Sequence, residues 1–128
     1  MTNVLIQSES RFLINRESLR EEVKKFLVGR KIKNEIEVSL SIVGDRKMRA
    51  LNKKYRQHDY TTPVLTFSLE EGKPFVTPPD RVLRIGDIVI SYPQAVLLAG
   101  AENKLVDQKI GELVCHGLSN LFGLEQEN

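Results

Sequence analysis

The residues with the clearest chemical potential lie at the end of a long apolar-periodic segment, where His116 and Asn120 are four positions apart. Because an α-helix places residues i and i+4 on one face, these two side chains are expected to project together. Gly123 then ends the helix, and the polar tail 125–128 could fold back toward that face. Two helical histidines at this spacing, with a third ligand beyond a turn, form an open zinc site. The sequence therefore has the layout of a metal site with one histidine in it.

Two interpretations of this motif stay open. Zinc prefers imidazole, thiolate or carboxylate ligands, and the side-chain amide of Asn120 offers only a neutral oxygen. In the first interpretation, His116, Asn120 and Gln126 form a neutral hydrogen-bonded cluster. In the second, Glu125 or Glu127 supplies a carboxylate that holds a divalent ion weakly together with His116.

A strongly basic helix is the second candidate for chemistry. Residues 44–58 contain one acid, Asp45, against six basic side chains, which are Arg46, Lys47, Arg49, Lys53, Lys54 and Arg56. Such a surface is either a solvated helix face or a surface that contacts phosphates. The guanidinium of Arg56 could hold a phosphate bidentately, whereas Lys53 and Lys54 would add nonspecific attraction that falls with salt.

The hydrophobic periodicity predicts a mixed α/β (α+β) domain in which helices pack on a small sheet. The clearest strand is 35–43, whose apolar and polar residues alternate, as in a sheet with one covered face. The wide apolar face of the segment 106–122 indicates a long buried helix at the core of the fold. In chain order, the predicted elements are a strand within 3–14, helix 16–28, strand 35–43, helix 46–56, strands 64–68 and 82–91, and helices 93–101 and 106–122.

The basic helix carries specific structural predictions. Asp45 is placed to cap its N-terminus, because a short acidic side chain can accept hydrogen bonds from the first backbone N–H groups. The helical spacing of Met48, Leu51 and Tyr55 predicts that these three side chains are buried.

Three glycines inside predicted elements suggest close contacts. Gly86, within strand 82–91, marks a bulge or a close approach of another backbone. Gly111 and Gly117 lie inside the last helix, where each glycine costs up to about 1 kcal/mol relative to alanine. Close packing of this helix against the sheet is the expected reason for both.

The composition is that of one globular domain over residues 1–128. The chain has 128 residues, of which 41% are hydrophobic and 28% are charged, and its net charge is +2. No apolar run is long enough for a membrane span and residues 1–30 contain no signal-peptide core, so we expect a cytoplasmic protein. Cys115 is the single cysteine and is expected to pack as a small apolar residue. The neighbouring His116 points about 100° away around the helix, so a nucleophilic role for Cys115 is not expected.

Three separated motifs resemble those of the YbeY family. Residues 116–126 read H-G-L-S-N-L-F-G-L-E-Q, against the family signature H-G-x-x-H-L-x-G-[YI]-[DH]-H. Residues 51–56 read L-N-K-K-Y-R and residues 62–67 read T-P-V-L-T-F, against L-N-x-x-Y-R and T-D-V-L-S-F. Residues 86–91, G-D-I-V-I-S, match the third motif. The resemblance extends over nearly the whole chain.

The resemblance implies an rRNA maturation endoribonuclease whose buried helix presents three histidines to one zinc ion. The ligand positions of the family fall on His116, Asn120 and Gln126, so only His116 is retained and zinc is expected to bind weakly or not at all. Pro63 stands where the family has an acidic residue. The basic residue associated with RNA cleavage in the family falls on Arg56, which is present.

Three hypotheses about function follow. The first is a YbeY-like protein with a degenerate metal site, which binds RNA or the small ribosomal subunit through Lys53, Lys54 and Arg56 without cutting. The second is an active metal-dependent endoribonuclease, in which His116 with Glu125 or Glu127 holds the metal and Arg56 stabilises the phosphate. The third is an interaction scaffold in which the polar cluster is purely structural. Membrane binding is not expected, and the oligomeric state stays open.

Overall fold

The computed structural model describes residues 2–69 and 82–123. The predicted order of strands and helices is confirmed, although the first strand ends at Ser8 and is shorter than the segment 3–14. The elements are β1 (Asn3–Ser8), α1 (Arg16–Gly29), β2 (Glu35–Val43), α2 (Asp45–Arg56), β3 (Val64–Ser68), β4 (Val82–Ser91), α3 (Tyr92–Ala101) and α4 (Val106–Phe122).

The four strands form one mixed sheet in the order β1-β2-β4-β3. β1, β2 and β4 are parallel, and β3 runs antiparallel to β4 at the edge. The prediction of an α/β fold with a small mixed sheet is therefore confirmed. The end of the basic helix reaches edge strand β3 through Arg56.

One face of the sheet packs against α1 and α4. Alternate residues of β2 point into this layer, and Ile36, Val38 and Leu40 are each at most 1% exposed. From the helices, Val23 of α1 and Leu118 of α4 are fully buried in the same cluster. The alternating pattern of β2 thus predicted correctly which of its residues face the core.

Helix α2 covers part of the opposite face. Met48 is buried in a second, smaller cluster with Leu65 of β3 and Val89 of β4. Neighbouring residues of a strand point to opposite faces, so Val89 and Ile88 mark the two sides of the sheet. The basic helix and the long C-terminal helix therefore lie in different layers.

The predictions for α2 need two corrections. The helix begins at Asp45 with Gly44 as its N-cap, so Asp45 is not the cap residue, and its carboxylate is engaged elsewhere. Tyr55 is 48% exposed and is not a core residue, whereas Asn52 is only 2% exposed. Asn52 lies one turn beyond Met48, and its amide is buried because it has a hydrogen-bond partner in the following loop.

The glycines of α4 pack in two different ways. A Cβ atom at Gly117 would lie 2.9–3.1 Å from the side-chain carbons of Ile88, so the predicted close packing against the sheet is confirmed there. A Cβ atom at Gly111 would instead meet the Glu22 side chain of α1, at 3.2 Å from Cγ. The prediction that Gly111 faces the sheet is therefore wrong.

Gly86 shows both of the alternatives predicted for it, the bulge and the close backbone approach. Its φ of 137° lies in the region that favours glycine, and a Cβ atom would collide with the carbonyl oxygen of Phe67 on β3. The pairing register of β2 and β4 also shifts next to it, between Glu37 and Val38. Within the described ranges, no helix is long and apolar enough to cross a lipid bilayer.

Candidate functional site

The end of α4 presents His116 and Asn120 together, as the spacing predicted. Both side chains are partly buried, whereas Leu118 and Ser119 between them are buried in the core side of the helix. Gly123 has a left-handed conformation, with φ 66°, and its N–H donates to the carbonyl of Asn120 at 3.1 Å. The helix therefore stops at Gly123, one turn after Asn120.

The donor set at this place is one imidazole and one amide. Gln126, Glu125 and Glu127 lie outside the described residues. Among residues 2–69 and 82–123, no group of three or more His, Cys, Asp or Glu side chains is placed to hold a metal ion. A neutral amide oxygen is a poor zinc ligand, so the pair His116 and Asn120 does not reproduce a zinc site built from imidazoles.

Cys115 does not add a nucleophile to this end of the helix. Partial burial of the thiol raises its pKa, and the nearby charge of Glu22 raises it further. A thiol with a raised pKa stays protonated at neutral pH and is a weak nucleophile and metal ligand. The prediction that Cys115 packs as a small apolar residue agrees with this environment.

Arg56, at the end of α2, is anchored to edge strand β3. Its Nη2 donates to the carbonyl oxygen of Thr66 at 2.6 Å, and its guanidinium lies 5.1 Å from the ring centroid of Phe67. A guanidinium has five N–H donors in a planar fork, so one hydrogen bond to the strand orients it without using its capacity for phosphate. The hydrogen bond and the ring contact together hold the guanidinium at the edge of the sheet.

The rest of the basic face is exposed but partly neutralised. Asp59, in the loop after α2, accepts a hydrogen bond from Nε of Arg49 at 2.8 Å and lies 3.8 Å from Nζ of Lys53. The hydrogen bond from Arg49 lowers the pKa of Asp59, and the charges of Arg49 and Lys53 act in the same direction. Exposed pairs of this kind are worth little and exchange readily, so Lys53 can leave Asp59 for a phosphate. Lys54 is also exposed.

The structure does not place Arg56 and His116 in the same layer. Arg56 belongs to α2, which packs on the Val89 side of the sheet, and His116 belongs to α4, which packs on the Ile88 side. The element they share as a neighbour is the edge strand β3. The candidate RNA-contacting residues and the candidate metal positions therefore lie on different helices that meet the same edge strand, β3.

A hydrogen-bonded cluster around Asp45 was not foreseen from the sequence. Its Oδ1 accepts from the hydroxyls of Ser91 at 2.7 Å and Thr61 at 2.9 Å, and the Gln94 amide lies 3.4 Å from both oxygens. Partial burial raises the pKa of Asp45, but the hydrogen bonds from Ser91, Thr61 and Gln94 together outweigh it, so the pKa is lowered. This carboxylate joins α2, the loop before β3 and the start of α3.

The loop after α2 is a second feature that sequence reasoning missed. The side chain of the buried Asn52 donates from Nδ2 to the carbonyl of Tyr60 at 2.9 Å. The backbone carbonyl of Asn52 accepts from the backbone N–H of His58 at 3.2 Å. The sequence did contain one signal of this arrangement. Asn52 follows the apolar Met48 by four positions and so lies on the same helix face, where a buried amide requires hydrogen-bond partners.

Taken together, these observations define a class of protein: a small α/β domain with a cationic helix on one layer and a helix-borne polar pair on the other. Comparison with known proteins then gives the family. The family model described as Endoribonuclease YbeY matches residues 5–128, and the chain belongs to this family.

Individual relatives agree with this result. The chain is 33% identical to an Endoribonuclease YbeY of Dehalococcoides mccartyi, with 96% of this chain and 82% of the relative covered. It is 34% identical to that of Malacoplasma penetrans, with 99% and 83% covered. Its fold is similar to the solution structure of a Thermotoga maritima protein, with a TM-score of 0.62, 26% identity, and coverage of 99% of this chain and 75% of that one.

Proposed function

We propose that this protein is an RNA-binding member of the YbeY family that acts in rRNA maturation on the small ribosomal subunit. In this proposal the protein is cytoplasmic, and residues 1–128 form one domain. We further propose that its metal site is degenerate, so that it binds RNA without zinc-dependent cleavage. The observation that carries the proposal is the donor set at the ligand positions of the family, where this sequence has Asn120, Gln126 and a single histidine, His116. Family membership supports RNA as the partner.

The basic face of α2 is the surface proposed to bind RNA. Lys53 and Lys54 attract the phosphate backbone, and Arg56, held by the backbone of β3, takes one phosphate through its planar fork. At the positions of His116, Asn120 and Gln126, a bound zinc would supply an activated water molecule as the nucleophile for phosphodiester hydrolysis. The residues of this chain supply the binding and orientation of RNA, and Arg56 would stabilise the charge of the phosphate that it holds.

RNA binding is tested with a triple variant, Lys53→Ala, Lys54→Ala and Arg56→Ala. Loss of three contacts to a single strand is expected to weaken binding and to reduce the slope of log K against log salt by about 2. The matched control is Lys24→Ala, Lys25→Ala and Arg30→Ala on and just after α1, which removes the same charge from exposed positions in the other layer. Equal effects of the two triple variants would show that only net charge matters and would favour the scaffold hypothesis.

The metal site is tested by zinc analysis of the purified protein. We expect less than one zinc per chain, no cleavage of single-stranded RNA, and a tight zinc site in the double variant Asn120→His with Gln126→His. Stoichiometric zinc that is lost on His116→Ala would refute the degenerate site. It would favour an active enzyme in which Glu125 or Glu127 completes the coordination.

A further inference from the structure

Two aromatic rings stack on the surface just beyond the basic helix. Gln57 ends α2 in the left-handed conformation, with φ 60° and ψ 28°, and turns the chain across the helix end. The rings of His58 and Tyr60 follow, with centroids 5.2 Å apart and an angle of 11° between their planes. Both residues are exposed, and Tyr60 is 57% exposed. This ring pair therefore lies in solvent and not in the core.

The ring pair is held in place by the end of α2. The side chain of Asn52, itself only 2% exposed, donates to the carbonyl of Tyr60, and its backbone carbonyl accepts from the N–H of His58. Asp59, between the two rings in sequence, accepts a hydrogen bond from the exposed Arg49, which adds little to this anchoring. The segment is thus tied to α2 at His58 and at Tyr60 through Asn52, so a ligand that stacks on the rings meets a surface that is already ordered.

The charges beside the ring pair indicate the kind of ligand. Arg49 and Lys53 of α2 both approach the segment through Asp59, and Lys54 and Arg56 follow on the same helix. Aromatic side chains next to a cationic track are the arrangement by which proteins bind single-stranded nucleic acid, since every base has a face that can stack. Within a duplex no such face is free, because each internal base is stacked on both sides.

We propose that the His58–Tyr60 ring pair is a stacking platform for an unpaired base of single-stranded RNA, whose phosphates are held by the basic face of α2. This inference rests on the proposed RNA binding and adds the part of the surface that recognises a base. The base extends the existing stack, because rings 5.2 Å apart leave no room for a third ring between them.

The test compares wild type with Tyr60→Ala, using fluorescence anisotropy of a single-stranded oligoadenylate at several salt concentrations. Loss of one stacked base is expected to weaken binding by about tenfold, within the range for aromatic-to-alanine changes, and to leave the salt slope unchanged. Tyr60→Phe keeps the ring and should bind within about twofold of wild type. A ribose-phosphate probe of the same length without bases should bind wild type and Tyr60→Ala equally, because it keeps only the phosphate contacts.

Several results would overturn the platform. One is that Tyr60→Ala binds oligoadenylate as tightly as wild type does. Another is that Tyr60→Ala loses affinity to the same extent for the probe without bases or for a long RNA duplex, in which nearly all bases are stacked on both sides. If the Lys53, Lys54 and Arg56 triple variant weakens RNA binding and Tyr60→Ala does not, the platform fails while the proposed function stands. If wild type binds no single-stranded RNA, both fail together.

Discussion

Replacement of Asp45 tests the central hydrogen-bonded junction of the fold. In Asp45→Ala, the hydroxyl of Ser91 loses its carboxylate acceptor, and this residue is 0% exposed and cannot turn to water. A buried hydroxyl left without an acceptor costs about 1–3 kcal/mol. Asp45 also supplies the negative charge in the first turn of α2, worth about 0.3–1 kcal/mol. Thr61 and Gln94 are only partly buried and recover most of their loss through water.

The free energy of unfolding should therefore fall by about 3 kcal/mol in Asp45→Ala, measured by urea denaturation at pH 7. Asp45→Asn keeps an oxygen for Ser91 but loses the charge, so about 1–2 kcal/mol is expected. The control is Glu21→Ala on the exposed face of α1, which should change stability by less than about 0.5 kcal/mol.

The pH dependence gives an independent check on Asp45. Its pKa is lowered in the folded protein, so the carboxylate stabilises the fold above about pH 4, and this contribution is lost as the pH falls through the folded pKa. Asp45→Asn has no such proton to bind. The stability difference between wild type and Asp45→Asn should therefore narrow on acidification from pH 7 toward pH 3. A difference that stays constant over this range, or an Asp45→Ala variant as stable as Glu21→Ala, would refute the reasoning.

Two further predictions concern packing and the loop after α2. Gly117→Ala should lower the free energy of unfolding by about 1–2 kcal/mol, because overpacking against Ile88 exceeds the gain in helix propensity. At Gly100 an added Cβ atom meets nothing within 4 Å, so Gly100→Ala should instead stabilise the protein by up to about 1 kcal/mol. Urea denaturation that gives changes in unfolding free energy of the same sign for the two variants would contradict this. Asn52→Ala should cost about 1–2 kcal/mol and speed amide exchange in residues 57–60, since the Tyr60 carbonyl loses its partner. Unchanged exchange there would show that Asn52 does not order the loop.

The elements of this fold could be predicted because their signals are local. The alternation in β2 and the wide apolar face of α4 depend only on residues two to four positions apart, and both elements lie where the pattern placed them. The strand order β1-β2-β4-β3 could not be obtained in this way, because each pairing depends on residues distant in sequence.

The errors in α2 have the same origin. Hydrophobicity at helical spacing assigned Tyr55 to the core. Tyr55 is instead 48% exposed, and Asn52 is the buried residue in this part of α2, with its side-chain amide bonded to the Tyr60 carbonyl in the following loop. The role of Asp45 was misassigned for a similar reason, since its main partner, Ser91, is 46 residues away. Polar residues inside elements were the least predictable, because the sequence does not show which partner they will meet.

The packing of α4 and the chemistry at its end depend on different residues. Gly117 is required by the approach of Ile88, and the left-handed turn at Gly123 ends the helix; both would be needed whatever side chain stands at position 120. Asn120 is only partly buried, so a change of its side chain leaves the contact between α4 and the sheet intact. The fold is therefore compatible with an amide side chain at position 120. For this reason the proposed loss of zinc depends on the donor atoms at positions 116, 120 and 126 and not on the frame that carries them.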